Sequence, residues 1–340
     1  MTEHAQDDQI AALGPYLAAH VPGFQPPVSV SKFGTGQSNP TYHLKARSGE
    51  YVLRAQPPGK LLKSAHQVDR EYRVMRALGE TDVPVPAMIH LADADNPLGR
   101  MFFVMDYLRG RIFWDPALPE LDRSERRAIY DGMNKTLAAL HNVDVAAVGL
   151  SDFGRPGNYF ARQTGRWVKQ YRASVMVPNP DVDRLIDWLQ AHMPADDGVT
   201  TLVHGDYRLD NMIFAPDSAE VLAVLDWELS TLGHPLADLA YQCMQWRLPH
   251  QAGMRGLGGL DRQALGLPDE DEYVAAYCAR RGIDRIENWN FYLAFAFFRL
   301  AAILQGVVRR AHDGNASNPT RAREMAKAIP VLAAMANQLF

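Results

Sequence analysis

The stretch LVHGDYRLDNMIF, residues 202–214, packs a His, two Asp, an Arg and an Asn into eight positions between two apolar runs. After Asn211, the residues MIF predict a short strand, APDSAE a turn, and VLAVLDW a second strand that stays apolar until Asp226. Folding these strands into an antiparallel hairpin sets the start of the first opposite the end of the second. The pattern therefore places Asn211 beside Asp226, with Asp206 in the loop that enters the hairpin.

Oxygen-bearing side chains gathered at one end of this hairpin suit a bound metal ion. Carboxylate and amide oxygens, few in number and with positions left open, are what Mg²⁺ needs when it is bound to a nucleotide phosphate. The alternative interpretation is a polar turn whose Asp and Asn side chains cap their own backbone. Taken alone, the motif HGDYRLDN leaves both interpretations open.

The bulk properties favour some classes of protein over others. The chain has 340 residues, 22% of them charged, and a net charge of −4, which gives no reason to expect nucleic acid as a partner. Cys243 and Cys278 lack metal-ligand spacing and favour a reducing compartment, so we expect a cytoplasmic protein. The N-terminus MTEHAQDDQIAALG has no basic start and no apolar run, so we expect no signal peptide. The most apolar long segment, residues 291–308, contains Arg299, and we expect a buried core helix there, not a membrane span.

Hydrophobic periodicity divides the chain into two regions. Up to residue 108 the pattern predicts strands, together with one helix in HQVDREYRVMRAL whose apolar residues fall on one face. Beyond that point helical periods dominate, apart from the strands around the opening motif. We therefore predict an N-terminal domain of residues 1–108, with a helix at its start, and a C-terminal domain of residues 109–340.

Three motifs, in the same order as in a known family, carry a resemblance over most of the chain. His204, Asp206 and Asn211 match the H-x-D-x-x-x-x-N loop shared by protein kinases and aminoglycoside-type phosphotransferases. LDWE at 225–228 matches the second metal-binding Asp, and GHPLADLA at 233–240 matches the G-x-P-x-x-D-L-A that follows it. The chain resembles the aminoglycoside phosphotransferase-like family, and most closely the kinase-like domains fused to acyl-CoA dehydrogenases.

The resemblance implies an α+β, two-lobed protein-kinase-like fold, with a small antiparallel-sheet lobe for the nucleotide and a larger, mostly helical catalytic lobe. It also implies roles for the residues of the motif. Asp206 would be the catalytic base, or would orient the acceptor hydroxyl, and Asn211 and Asp226 would hold Mg²⁺ against the phosphates of ATP. His204 and Asp238 are expected to brace the loop. Whether Glu228 or Asp238 also has a role beyond structural support stays open.

The turn FGTGQSN would cover the phosphates with backbone N–H groups. Gly34 and Gly36 fit the first two glycines of G-x-G-x-x-G, but Asn39 stands at the third. Asn tolerates the left-handed backbone conformation, so the turn could still curl. The residues expected at the phosphates are Gly34, Thr35, Gly36, Gln37, Ser38 and Asn39.

Protein kinases place a Lys on the strand after this turn, and here the matching residue is Arg54. An Arg stays charged and can grip phosphate through two parallel N–H bonds. Glu71 projects from the apolar face of the following helix, where a carboxylate is costly unless it is paired. We therefore predict an Arg54–Glu71 ion pair, the alternative being a Glu at the edge of the face that reaches water.

The predicted function is transfer of the γ-phosphoryl group of ATP to a hydroxyl of a small molecule. The nucleotide is expected between the two lobes, with its base near Met105 and Tyr107 in the connector. Two rival functions stay open, an aminoglycoside-resistance enzyme and a nucleotide-binding pseudokinase without chemistry. The motifs fix neither the preference for ATP over GTP nor the oligomeric state.

The charge pattern bears on the acceptor. Residues 241–340 carry 12 Lys and Arg against 9 Asp and Glu, whereas a site for polycationic aminoglycosides should be rich in carboxylates. Basic residues also recur at helical spacing in YFARQTGRWVKQYRAS, at Arg162, Arg166, Lys169 and Arg172. One interpretation is a solvated basic face. The other is a surface that attracts an anionic acceptor, a hydroxyacyl-CoA or related hydroxy acid.

Overall fold

A computed structural model describes residues 3–34, 39–59, 66–251, 254–314 and 319–340. The strands are β1 Ser29–Lys32, β2 Thr41–Ala46, β3 Gly49–Ala55, β4 Met88–Ala92, β5 Phe102–Asp106, β6 Thr201–Val203, β7 Met212–Phe214, β8 Val221–Val224 and β9 Thr231–Gly233. The helices are α1 Glu3–His20, α2 Val68–Leu78, α3 Arg123–Asn142, α4 Tyr159–Ser174, α5 Pro180–Ala191, α6 Leu236–Cys243, α7 Arg262–Leu265, α8 Glu270–Arg281, α9 Trp289–His312, α10 Pro319–Ala326 and α11 Ala328–Asn337.

The chain divides into two compact units, each built from more than one segment. The first unit comprises Met1–Ile112, Ala146–Leu150 and Asn211–Ser230. The second unit comprises Phe113–Val145, Ser151–Asp210 and Thr231–Phe340. The catalytic motif is thus shared by both units, since Asp206 belongs to the second and Asn211 to the first.

The first unit is built on an antiparallel sheet with strand order β1-β2-β3-β5-β4. Successive side chains of a strand point to opposite faces, so Leu44, Leu53 and Val104 share one face. Leu13 and Leu17 of α1 belong to the same buried cluster, and α1 therefore covers that face. The other face carries Arg54, which lies two residues beyond Val52 on β3.

Helix α2 and strand β4 differ in how well the sequence predicts them. The helix begins at Val68, two residues after the predicted start, and its apolar face buries Val68, Val74, Met75 and Leu78. Strand β4 was not predicted. It is only five residues long, and the prolines in VPVP just before it mask the alternation by which a strand is recognised.

The catalytic hairpin β7–β8 belongs to the first unit, whereas we expected it within the larger C-terminal domain. Main-chain hydrogen bonds explain the difference. The Val224 N–H donates to the carbonyl of Pro84 at 2.9 Å, and Arg111 and Phe214 exchange two bonds of 2.8 and 2.9 Å. The hairpin thus continues the backbone pairing of the N-terminal part of the chain. The division at residue 108 itself stays a prediction.

The second unit is mainly helical and packs around α9. Helices α4, α5, α6, α10 and α11 all contact it. By length and composition alone α9 could cross a membrane, but 72% of its most apolar stretch is buried inside the protein. This burial agrees with the core helix that the sequence predicts.

Strands β6 and β9 pair in the second unit and hold the start of the catalytic loop, which follows Val203 directly. Gly154 packs against this pair so closely that a Cβ atom would lie 2.5 Å from the nitrogen of Leu232 and would also clash with the hydroxyl of Thr231. Residue 154 therefore has no room for any side chain and must be a glycine. Gly165 of α4, by contrast, has room for a side chain, since nothing lies within 4 Å of a Cβ atom added there.

Substitution of these two glycines tests the packing. Gly154→Ala should lower the free energy of unfolding by about 2 kcal/mol, because the added methyl group overpacks the strand pair. Gly165→Ala should raise it by up to about 1 kcal/mol, because alanine favours a helix. Urea unfolding followed by circular dichroism measures both changes, and equal stabilities of the two variants would contradict the packing around β9.

Candidate active site

The catalytic loop is held by a carboxylate from the next helix. Asp238 of α6 accepts the backbone N–H of His204 at 2.6 Å and that of Gly205 at 2.8 Å. His204 is fully buried, and its Nδ1 lies 3.2 Å from the backbone nitrogen of Asp206, from which it accepts a hydrogen bond. These bonds fix the backbone that carries Asp206 and show the bracing that the sequence led us to expect of His204 and Asp238.

Asp238 is itself held by a buried histidine. His141 Nε2 lies 3.4 Å from the Asp238 carboxylate, and His141 Nδ1 lies 2.6 Å from the hydroxyl of Tyr277. Burial alone would raise the pKa of Asp238, but His141, His204 and the N–H of Gly205 hold it below its ordinary value. A carboxylate that stays ionised is a strong acceptor for the two loop amides.

Two residues beside Asp206 were not singled out from the sequence. The Nε atom of Arg208 lies 3.6 Å from the Asp206 carboxylate, and its Nη2 lies 2.6 Å from Asp210. The hydroxyl of Tyr241 hydrogen-bonds to the Asp206 side chain, and burial together with this carboxylate raises the pKa of the phenol. Tyr241 follows Asp238 by three residues on α6, so both fall on one helix face. That spacing could have pointed to it.

The first unit contains a half-buried guanidinium surrounded by carboxylates. Arg54 Nε lies 2.9 Å from Glu71, as predicted, and its Nη2 lies 2.7 Å from Asp226 and 3.8 Å from Glu228. Burial would lower the pKa of Arg54, but the three carboxylates raise it above its ordinary value. The side chain therefore remains a cation with a fork of N–H groups near Asp226.

Glu71 lies at the centre of a second set of contacts. It is 1% exposed, and the amide of Asn39 donates to its Oε1 at 2.9 Å. Burial raises the pKa of Glu71 to about 7, although Arg54 opposes the rise. Asn39 Oδ1 also lies 2.9 Å from the ring of His66. The side chain of the buried Asn39 thus joins Glu71 of α2 to His66.

The hairpin brings Asn211 and Asp226 together as predicted. Met212 pairs with Val224, and the N–H of Leu225 donates to the carbonyl of Asn211 at 2.8 Å. Asp226 has a φ of +65°, a strained conformation for a residue with a side chain. Strain of this kind often accompanies a functional role.

The chemistry of this donor pair fits Mg²⁺. Asp226 supplies a carboxylate that is 36% exposed, and Asn211 supplies an amide oxygen. Within the described ranges no group of three or more His, Cys, Asp or Glu side chains could hold a metal ion. A two-residue oxygen site suits an ion that takes its remaining ligands from phosphates and water.

The other residues predicted to contact the nucleotide fall into two groups. Gly34 is exposed at the end of β1, whereas Thr35, Gly36, Gln37 and Ser38 lie outside the described residues. Met105 pairs with Val52 on the face that carries Arg54, and the ring of Tyr107 stacks on that of His43 at 4.3 Å. His43 was not predicted, and it joins this face because it pairs with Val52.

The braced Asp206 loop of the second unit and the Asn211–Asp226 oxygen pair of the first unit each carry the groups expected of a phosphotransferase. The family model described as phosphotransferase enzyme family matches residues 29–285. The chain belongs to this family, and its fold is the protein-kinase-like fold that the sequence predicts.

Two relatives resemble this chain over most of its length. Mouse acyl-CoA dehydrogenase family member 10 is 49% identical over 305 residues, which are 89% of this chain but only 28% of that protein. A Ralstonia eutropha protein, assigned only provisionally to the aminoglycoside phosphotransferases, has a crystal structure that is 48% identical, with a TM-score of 0.89. That match covers 96% of this chain and 97% of the other.

A more distant structure shows the fold alone. Spectinomycin phosphotransferase, solved with ADP and spectinomycin, matches with a TM-score of 0.63 at 12% identity. The match covers 96% of this chain and 97% of the other. The fold is therefore shared across chains that have little sequence in common.

Substitutions at Arg54 and Glu71 separate stability from binding. Arg54→Met should lower the free energy of unfolding by about 3–5 kcal/mol, because the buried Glu71 loses its partner. A carboxylate whose pKa is raised by folding destabilises the fold as it ionises, so the loss should grow as the pH rises through about 7. Urea unfolding at several pH values measures this.

The double variant Arg54→Met/Glu71→Met is the matched control, since it buries two apolar side chains in place of the ion pair. It should recover most of the stability lost in the single variant but none of the nucleotide binding, as measured by calorimetry. A double variant as unstable as Arg54→Met would show that the pair is not the cause of the loss.

Proposed function

We propose that this protein transfers the γ-phosphoryl group of ATP to a hydroxyl of a small anionic molecule, a hydroxyacyl-CoA or a related hydroxy acid. The observation that carries the proposal is the braced Asp206 carboxylate, followed five residues later by the Asn211–Asp226 pair. All positions that phosphoryl transfer requires for a base and for metal ligands are filled. A pseudokinase would have no need of them.

The reaction moves one phosphoryl group and one proton. Asp206 orients the acceptor hydroxyl and takes its proton as the oxygen attacks the γ-phosphorus, and the bond to the β-phosphate oxygen breaks. Arg208, beside Asp206, is a cation that can balance charge on the transferred group. Mg²⁺, held by Asn211 and Asp226, would neutralise the phosphates when bound.

The nucleotide contacts belong to the first unit in this proposal. Arg54 binds phosphate oxygens through its fork of N–H groups while Glu71 fixes its position. Met105, Tyr107 and His43 offer apolar and aromatic surface for the base on the same side of the sheet. The ADP bound to spectinomycin phosphotransferase supports a nucleotide at this fold.

Two features support an anionic acceptor. On α4, Arg166, Lys169 and Arg172 are exposed and Arg162 is half-buried, whereas Phe160 and Tyr171 are buried on the other side of the helix. The relatives named acyl-CoA dehydrogenases combine a region like this chain with a much longer sequence. A hydroxyacyl-CoA is an acceptor that suits both the positive surface and those relatives. Aminoglycosides are the alternative acceptors, favoured by the provisional assignment of the Ralstonia protein.

Removal of the base and of the metal ligand should affect different steps. Asp206→Ala should reduce turnover by about 10²- to 10⁴-fold and leave Mg-ATP binding nearly intact. Asp226→Ala should abolish Mg-dependent ATP binding, and Asn211→Ala should weaken it. Calorimetry and steady-state kinetics measure the two effects.

Asp217→Ala, in the exposed turn of the same hairpin, is the control for loss of a carboxylate and should change neither quantity. Near-normal turnover of Asp206→Ala would refute its catalytic role. Unchanged affinity in both metal-site variants would refute the placement of the metal ion.

The acceptor is tested by comparing kanamycin-type antibiotics with hydroxyacyl-CoAs. Phosphorylation should be efficient for the hydroxyacyl-CoA, and Arg166→Glu/Lys169→Glu should raise its KM, because the reversed charges repel an anion. Lys135→Glu, an exposed reversal on α3, is the control. Efficient phosphorylation of the antibiotic with inert hydroxyacyl-CoAs would refute the anionic acceptor, and an unchanged KM would leave α4 as a solvated basic face.

A further inference from the structure

Helix α9 carries a cation inside the core of the second unit. Arg299 is 7% exposed, and Phe295 and Ala302, one turn away on either side, are buried. A guanidinium is costly to remove from water unless other groups replace the lost hydration. Within the described residues, the contacts that the structure shows for Arg299 are a carbonyl and an aromatic ring, not carboxylates. These two contacts therefore indicate what the side chain does.

The carbonyl belongs to the catalytic loop. The guanidinium of Arg299 donates a hydrogen bond to the carbonyl oxygen of Gly205, which is part of the peptide bond between Gly205 and Asp206. The N–H of that same peptide donates to Nδ1 of His204 at 3.2 Å. A peptide group is planar and turns as one unit. Hydrogen bonds on both of its sides therefore fix the direction in which the backbone enters Asp206.

The glycine in the loop explains why this second support is needed. Gly205 has a φ of +84°, a left-handed conformation that a glycine adopts at little cost. Its N–H donates to the carboxylate of Asp238 at 2.8 Å. Asp238 thus holds the peptide before Gly205, and Arg299 holds the peptide after it. Because glycine turns readily about both of its backbone dihedrals, holding the first peptide alone would not fix the second.

The aromatic ring is that of Tyr241 on α6, a helix that α9 contacts. The central carbon of the Arg299 guanidinium lies 5.2 Å from the centre of this ring. The hydroxyl of Tyr241 hydrogen-bonds to the side chain of Asp206. The attraction between a cation and an aromatic face holds the ring in place. Arg299 thus supports both the backbone of Asp206 and the ring that contacts its carboxylate.

We infer that Arg299 is a positioning residue for Asp206, because it fixes the Gly205–Asp206 peptide and the Tyr241 ring and thereby sets the direction of the carboxylate. The inference deepens the proposed function and rests on it for the role of Asp206 as the base. A base has to lie within hydrogen-bond reach of the proton that it removes, so a small displacement slows the reaction more than it weakens binding. Arg299 itself touches neither ATP nor the acceptor in this proposal.

Steady-state kinetics with ATP and two acceptors, 3-hydroxybutyryl-CoA and kanamycin, measure the effect. Arg299→Met removes the cation at similar side-chain length and should lower kcat about 10-fold, because the carboxylate is no longer held in place. The KM for ATP and the KM for the acceptor should each stay within about 2-fold. Arg299→Lys keeps a cation that can donate to the Gly205 carbonyl, and it should recover part of the lost kcat.

The same substitution in a protein without the base separates positioning from general damage. Arg299→Met added to Asp206→Ala should cause no further loss of kcat, because Arg299 acts through the Asp206 side chain. Tyr241→Phe should lower kcat about 10-fold, and Arg299→Met/Tyr241→Phe by much less than the product of about 100-fold, since both residues support one carboxylate. An equal loss from Arg299→Met with and without Asp206 would overturn the inference.

Gln305→Met is the matched control on the same helix. Gln305 is buried, and its amide donates to the carbonyl of Ser174 at 3.1 Å, so the substitution also removes a buried hydrogen bond from α9. It should leave kcat unchanged, because Gln305 does not contact the catalytic loop. A loss of kcat as large as that of Arg299→Met would show that any damage to α9 slows the reaction, and would overturn the inference.

Crystal structures of the variants keep this inference separate from the proposed function. In Arg299→Met the Gly205–Asp206 peptide should rotate and the Tyr241 hydroxyl should move away from Asp206, whereas Gln305→Met should keep both. Arg299→Lys, the milder change, gives the same comparison if Arg299→Met does not fold. An unmoved peptide and ring would overturn the positioning role. A displaced loop, with neither acceptor phosphorylated by the unchanged protein, would refute the reaction and keep that role.

Discussion

The cation of Arg54 is the constraint on which the nucleotide-binding part of the structure depends. Its guanidinium lies 2.9 Å from the buried Glu71 and 2.7 Å from Asp226, so one side chain joins β3, α2 and the end of β8. A buried carboxylate costs several kcal/mol unless it is paired. Glu71 therefore holds Arg54 in place, and Arg54 presents its remaining N–H groups beside the carboxylate proposed to bind Mg²⁺. The planar fork makes this double contact possible, whereas an ammonium group would be a single point of charge.

A different interaction holds the catalytic loop, namely the hydrogen bonds that the buried carboxylate of Asp238 accepts from the loop backbone. Asp238 accepts two loop amides and is kept ionised by His141. The two sets of interactions are complementary. The first holds a cation beside the proposed metal ligand, and the second fixes the backbone that carries the proposed base. Neither requires the long activation segment of protein kinases, since only 11 residues separate Asp226 from Asp238.

The sequence predicted the parts of the site that short-range rules determine. The Asn211–Asp226 juxtaposition follows from hairpin pairing. Helix periodicity and the cost of a buried charge pointed to Glu71, and the resemblance to protein kinases pointed to Arg54 as its partner. The contact of Asn39 with Glu71 was not predicted, because it joins segments that are distant in the sequence. The spacing on α6 could have placed Tyr241 on the same helix face as Asp238, but its contact with Asp206 depends on tertiary packing.

Contacts between segments that are distant in the sequence could not be predicted, because they depend on tertiary packing. The rings of His43 and Tyr107 stack although the two residues are 64 positions apart in the sequence, because β2 and β5 both pair with β3. Strand β4 was missed because it is short and follows prolines. The fold class, by contrast, rested on three motifs in order, and the family match confirms it.

The most direct test of the central claim is a crystal structure of this protein with Mg²⁺ and AMP-PNP. The account predicts that Arg54 keeps its contact with Glu71, releases Asp226 and binds a phosphate oxygen, while the Asp226 carboxylate lies about 2.1 Å from the metal ion. A nucleotide-bound structure in which Arg54 still holds Asp226, with Mg²⁺ bound elsewhere, would contradict it.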